Sequence, residues 1–186
     1  MRDGTGGPAV PVRRRGSELD GHLRQVTAAL LHEVGYRALT IEAVAARAGV
    51  AKTSVYRRWP TKASLVGELL TDLAVDHGRD AAGDDPGQLR DAARRLAGLF
   101  ADPAFSGAVL GVLLDANAAE VVRLRTALMG GRPGDPGLPN TRNAVLGAVV
   151  LRGLVMRLPV DDDWLRALFT EMRLDETEGD RDGHED

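Results

Sequence analysis

Apolar residues recur three and four positions apart along most of the chain, the spacing of one face of an α-helix. Leu23, Val26, Thr27, Leu30 and Leu31 form the first such face, on a helix beginning near Ser17 to Asp20 and ending near Val34. Ile41, Val44, Ala45 and Ala48 form a second, narrower one. Thr40 stands where a hydroxyl can cap it, Glu42 suits the positive end of its dipole, and Gly49 can close it in the left-handed conformation. Val55 and Trp59 point inward from a third helix that starts at Ala51 or Lys52 and reaches Trp59, where Pro60 disfavours helical geometry. Thr61 can cap a fourth, Lys62 to about His77, with Leu65, Val66, Leu69, Leu70 and Leu73 as its stripe.

Beyond a linker over 78–87, rich in Asp, Gly and Ala, five more helices are predicted. They cover about 86–101 (Leu89, Ala93, Leu96 and Phe100 on one side), 103–117, 118–129, 141–157 and 161–173. Residues 130–139, rich in Gly and Pro, have no helical option and read as a loop. The chain is therefore expected to be all-α, with about nine helices.

The pair of helices around Gly49 carries its chemistry on the outer face of the second. Lys52, Thr53, Ser54, Arg57 and Arg58 lie on or near that face, and Tyr56 and Lys62 flank it. Cations and hydroxyls so placed suit a helix entering the major groove of duplex DNA. Two amphipathic helices around a glycine turn also occur in many proteins that bind no DNA, and the distribution of charge weighs against that plainer reading. Residues 1–62 hold eleven Lys and Arg against five Asp and Glu, a net of +6, whereas the whole chain is −3 and the remainder therefore −9. A basic module on an acidic body fits a phosphate-facing head.

The residues Ala28, Ala29, Leu31, Glu33-Val34-Gly35-Tyr36, Leu39-Thr40-Ile41, Ala45, Ala48-Gly49-Val50, Lys52, Ser54 to Pro60, Lys62 and Leu65 resemble the TetR family of bacterial regulators. The resemblance covers roughly residues 20–70. It implies a dimer with an N-terminal three-helix helix-turn-helix DNA-binding domain and a larger C-terminal helical ligand-binding and dimerisation domain. It further implies that Thr40, Tyr56 and Lys62 contact phosphate, while Lys52, Thr53, Ser54 and Arg57 enter the groove. The expected organisation is a basic arm at 1–17, the DNA-binding domain at 18–62, a regulatory domain at 63–173 joined through helix 63–77, and an acidic tail at 174–186. Arg13, Arg14 and Arg15 of the arm stand where they could reach phosphate or the minor groove, or serve only as a solvated tail. Relatives usually have more helix around 130–140.

In the body, Leu96, Phe100, Phe105, Val109, Leu113, Leu124 and Leu128 could line a pocket for an apolar small-molecule effector, or form a solid core. The helices at 141–157 and 161–173 are the most apolar, and a two-fold dimer through Val145, Val149, Trp164, Leu168 and Phe169 would cover them. Such a dimer also supplies the two half-sites of a palindromic operator.

Composition narrows the remaining options. Cysteine is absent, so disulfides and thiolate metal sites are excluded. His22, His32, His77 and His184 have no metal-ligand spacing, and Asp161-Asp162-Asp163 reads as helix-start acids. No metal, cofactor or catalytic set is expected, and neither is a signal segment or a membrane span, which puts the protein in the cytoplasm. The leading expectation is a homodimeric repressor released from double-stranded operator DNA by an effector. The alternative is a helical sensor or protein-interaction module with little specific DNA binding.

Overall fold

A computed structural model describes residues 16–78, 85–129 and 140–174. Residues 1–15 of the expected arm, 79–84 of the linker, the 130–139 loop and 175–186 of the acidic tail lie outside the described residues.

Among the described residues there are nine helices and no strand: α1 (Gly16–Ala38), α2 (Ile41–Ala48), α3 (Lys52–Tyr56), α4 (Lys62–Gly78), α5 (Pro86–Ala101), α6 (Pro103–Asp115), α7 (Ala118–Leu128), α8 (Asn140–Val149) and α9 (Asp162–Glu171). The all-α expectation holds. α1 kinks at Gly35, where φ is 72°. α8 continues into a π-helical segment, Val150–Val155, rather than as one regular helix to residue 157.

The predicted caps are in place. The Thr40 hydroxyl accepts from the Ala43 amide at 3.1 Å, and that of Thr61 from the Ser64 amide at 3.0 Å. Gly49 ends α2 at φ 68° and ψ 32°, a left-handed conformation that glycine takes without a steric penalty. α3 is shorter than its apolar spacing suggested. Its chain tightens after Tyr56, where the amides of Arg58 and Trp59 both reach the Val55 carbonyl at 2.9 Å.

One continuous apolar core runs from Leu23 of α1 to Phe169 of α9. α4 packs against α1, α6 and α7, so it joins the first three helices to the rest. Each fully buried leucine of α4, such as Leu65 or Leu70, stabilises that junction by roughly 1.5–3 kcal/mol. α5 covers α8, the π segment and α9.

This packing bears on two sets of expected residues. Val145, Val149 and Phe169 are fully enclosed within the single chain, where α5 packs against both α8 and α9, and Trp164 and Leu168 are half-buried. They are core residues rather than an uncovered dimer face. The apolar side chains left exposed in that region are Leu151, Val155, Met156 and Leu158. Of the expected pocket lining, Leu96, Phe105, Val109, Leu124 and Leu128 are buried in the same core, and Leu113 points outward at 40% exposure. Phe100 alone of that set also borders a cleft described below.

Candidate nucleic-acid interface

The outer face of α3 is held in position from behind. Val55 is fully buried and Trp59 nearly so, which fixes the rotation of the short helix about its axis. The Trp59 indole Nε1 donates to Glu68 Oε2 at 2.8 Å, and Glu68 Oε1 also accepts from Arg24 at 2.6 Å. The exit of α3 is thus tied to α4 and α1 together. Arg58 completes the attachment. Its Nε pairs with Asp20 of α1, and Nη1 donates to the Ser54 carbonyl at 3.1 Å. Sequence spacing had placed Arg58 near the outer face; the structure turns it inward, because α3 ends before that position and the side chain meets an acid.

With those anchors made, Lys52, Thr53, Tyr56 and Arg57 are exposed and Ser54 is half-buried. Arg57 has no ion pair or side-chain hydrogen bond among the described residues. Tyr56 donates its hydroxyl to Glu42 Oε1 of α2 at 2.8 Å. That bond raises the Tyr56 phenol above its ordinary pKa and lowers the Glu42 carboxyl, with Lys52 adding a smaller attraction to Glu42. α2 and α3 are therefore joined across their exposed edge as well as through their core.

Lys62 lies at the start of α4. Its Nζ donates to the Tyr36 carbonyl at 3.0 Å and sits 4.3 Å from the centre of the Tyr36 ring. An ammonium has three donors, so this arrangement leaves others for an anion. Tyr36 in turn reaches into the body, donating its hydroxyl to Asp115 Oδ2 of α6 at 3.0 Å. Burial, then the bond to Asp115, pushes the Tyr36 phenol well above its usual pKa. The ring packs against Gly111, where an added Cβ would fall 2.1 Å from Cδ1. Sequence reasoning did not find this Tyr36–Gly111–Asp115 contact. Its one available signal was a glycine inside an apolar helix, which usually has a packing reason.

Thr40, Lys52, Thr53, Ser54, Tyr56, Arg57 and Lys62 thus belong to one compact unit of α2, α3 and the start of α4. Residues 23–69 match the family model described as bacterial regulatory proteins, tetR family. This module is of the TetR type. An uncharacterised HTH-type transcriptional regulator of Mycobacterium tuberculosis is 43% identical over 84 residues, covering 45% of this chain and 40% of that relative. A second from the same species is 32% identical over 71 residues, 37% of this chain and 38% of the relative. The matched segment is thus less than half of this chain and of either relative. A TetR transcriptional regulator from Rhodococcus sp. RHA1 superposes with a TM-score of 0.59 at 21% identity, over 92% of this chain and all of that one. The TetR-type fold therefore extends through the body. No single helix among the described residues is long and apolar enough to cross a membrane.

Proposed function

We propose that this chain, with its TetR-type module, is a transcriptional repressor that binds a palindromic operator as a homodimer and leaves it when a small-molecule effector binds the body. The observation that carries the DNA-binding reading is the exposed row of Lys52, Thr53 and Arg57 on a helix whose rotation Val55 and Trp59 fix from behind. A reading helix must present its side chains at a defined angle, and this attachment provides one. Thr40, Tyr56 and Lys62 lie on neighbouring elements, where their hydroxyls and ammonium would meet the phosphates flanking the groove.

The division of labour proposed is a DNA-binding domain over 18–62 and a regulatory and dimerising domain over 63–173. Dimerisation is assigned to the exposed apolar residues Leu151, Val155 and Met156, since a second copy would remove them from water. Cytoplasm is the compartment this role requires.

Selection of bound fragments from a random or genomic DNA pool tests the reading. An enriched sequence with two-fold symmetry is expected, with one dimer per site by analytical ultracentrifugation. Failure to enrich any site would favour a protein-interaction module instead.

A further inference from the structure

We propose that a cleft at the end of α6 remote from Tyr36 is the effector site, and that it takes a small amphiphilic monoanion, an apolar chain or ring ending in a carboxylate. The proposal rests on the effector-released reading given above and names the site and chemistry that reading leaves open.

The cleft has a volume of about 490 Å³, within the usual range for small-molecule sites. It lies where the corner between α5 and α6 meets the connection from the π segment to α9. Ala97, Phe100, Leu158 and Val160 give it apolar walls. Pro103 and Ser106, from the first turn of α6, form another side.

The backbone around the cleft is irregular. The π segment Val150–Val155 interrupts α8 directly before it, and Arg157 takes a left-handed φ of 57°, rare for a residue with a side chain. Such conformations persist only where the surroundings enforce them, and they concentrate at ligand sites.

Charge selects the ligand. Two charged side chains rim the cleft, Arg157 and Asp161. Asp161 is already committed: its Oδ1 accepts from the Trp164 amide at 2.9 Å and caps α9, whose dipole favours the negative charge. Arg157 has no partner among the described residues. Arg152 adds positive charge behind the wall, donating to the Pro159 carbonyl at 2.7 Å. Among the described residues, Arg157 is therefore the charged group at the rim whose donors remain free, next to an apolar interior.

The cleft is also linked to the reading head. Asp102, between the lining residues Ala101 and Pro103, caps α6 at the Ala104 amide and approaches His32 of α1 at 3.6 Å. At the other end of the same helix, Gly111 and Asp115 hold Tyr36, which holds Lys62. A ligand that displaces the start of α6 thus acts on a rigid rod whose far end positions a proposed phosphate contact. Only a displacement that differs between free and DNA-bound states would shift the equilibrium.

The test uses the full chain and four sodium salts: hexanoate, octanoate, decanoate and 3-phenylpropanoate. Binding is measured by calorimetry and operator release by fluorescence anisotropy. At least one carboxylate is expected to bind once per chain, with the matching alcohol weaker by about tenfold or more, the loss expected when a charge-assisted hydrogen bond is removed. Arg157→Gln should weaken carboxylate binding by about the same factor. Ala101→Trp, placed at the exposed mouth, should block carboxylate binding by occupying the cleft. Saturation with the carboxylate should weaken operator binding by roughly fivefold or more. The proposal is overturned if none of the four binds, if the alcohol binds equally well, if neither variant weakens binding, or if operator affinity is the same with and without bound carboxylate. A chain that selects an operator but binds no carboxylate loses this site and keeps the proposed function. A chain that binds carboxylate at the cleft but selects no DNA retains a ligand site and loses its role as an effector site.

Discussion

The ring of Tyr36 occupies the space that a side chain at Gly111 would need, so α1 and α6 touch through a bare Cα. The ring cannot easily withdraw, because its hydroxyl is bound to Asp115 and Lys62 covers it. Gly111→Ala should therefore destabilise the protein by roughly 1–2 kcal/mol, the overpacking cost exceeding the helix-propensity gain of about 1 kcal/mol. Gly107, on the same helix, has nothing within 4 Å of an added Cβ. Gly107→Ala should be neutral or stabilising by up to about 1 kcal/mol. Urea unfolding of the two variants checks this, and equal stability would remove the close contact from the account.

Arg58 and Asp20 fasten the exit of α3 to α1, with exposures of 22% and 32%. A double-mutant cycle of Arg58→Ala and Asp20→Ala should give a coupling of about 1–2 kcal/mol. Since Arg58 faces inward, Arg58→Ala should affect stability more than the salt dependence of DNA binding. A variant of unchanged stability that lowers the salt slope would place Arg58 on the outer face after all.

Thr40 has a structural duty besides its proposed phosphate contact. Thr40→Ala should cost about 1 kcal/mol through loss of the cap, and Thr40→Ser should recover most of it. If Thr40→Ala melts at the wild-type temperature, the bond to the Ala43 amide contributes nothing.

Both tyrosines of the chain have raised phenol pKa values, Tyr36 through burial and Asp115, and Tyr56 through its bond to Glu42. A raised value means the fold favours the protonated phenol. The associated stability is complete below the unfolded tyrosine value of about 10 and is lost as pH rises through the folded values. Ultraviolet titration of the native protein should show neither tyrosine ionising at its ordinary pH, and Tyr36 should resist longer than Tyr56. One phenolate appearing near pH 10 (about the free value) would show that its hydrogen bond is absent in solution.

Much of the helical layout was legible because each helix announces its start, its end or its inner face. Thr40, Gly49, Pro60 and Thr61 act through bonds or torsions within a few residues of themselves, so local reasoning reached them. Leu89, Ala93, Leu96 and Phe100 show their common face by spacing alone. Arg58 was misplaced because α3 is only five residues long, and where it ends depends on a turn that spacing does not encode. The supposed dimer residues Val145 and Phe169 failed for another reason. Periodicity shows that a face is apolar, but not whether α5 or a second copy covers it. The Tyr36–Asp115 bond joins residues 79 apart, a distance at which no local pattern operates.

Arg57 and Lys62 are proposed to face DNA bases or phosphates, and the salt dependence of operator binding reports on that placement. Anisotropy titrations at several salt concentrations would compare the wild type with Arg57→Ala and Lys62→Ala, using circular dichroism to confirm that both variants are folded. Both should bind more weakly, and Lys62→Ala should reduce the salt slope by about 1 across unrelated operator sequences. Unchanged affinity and slope in both variants would place both side chains away from the DNA.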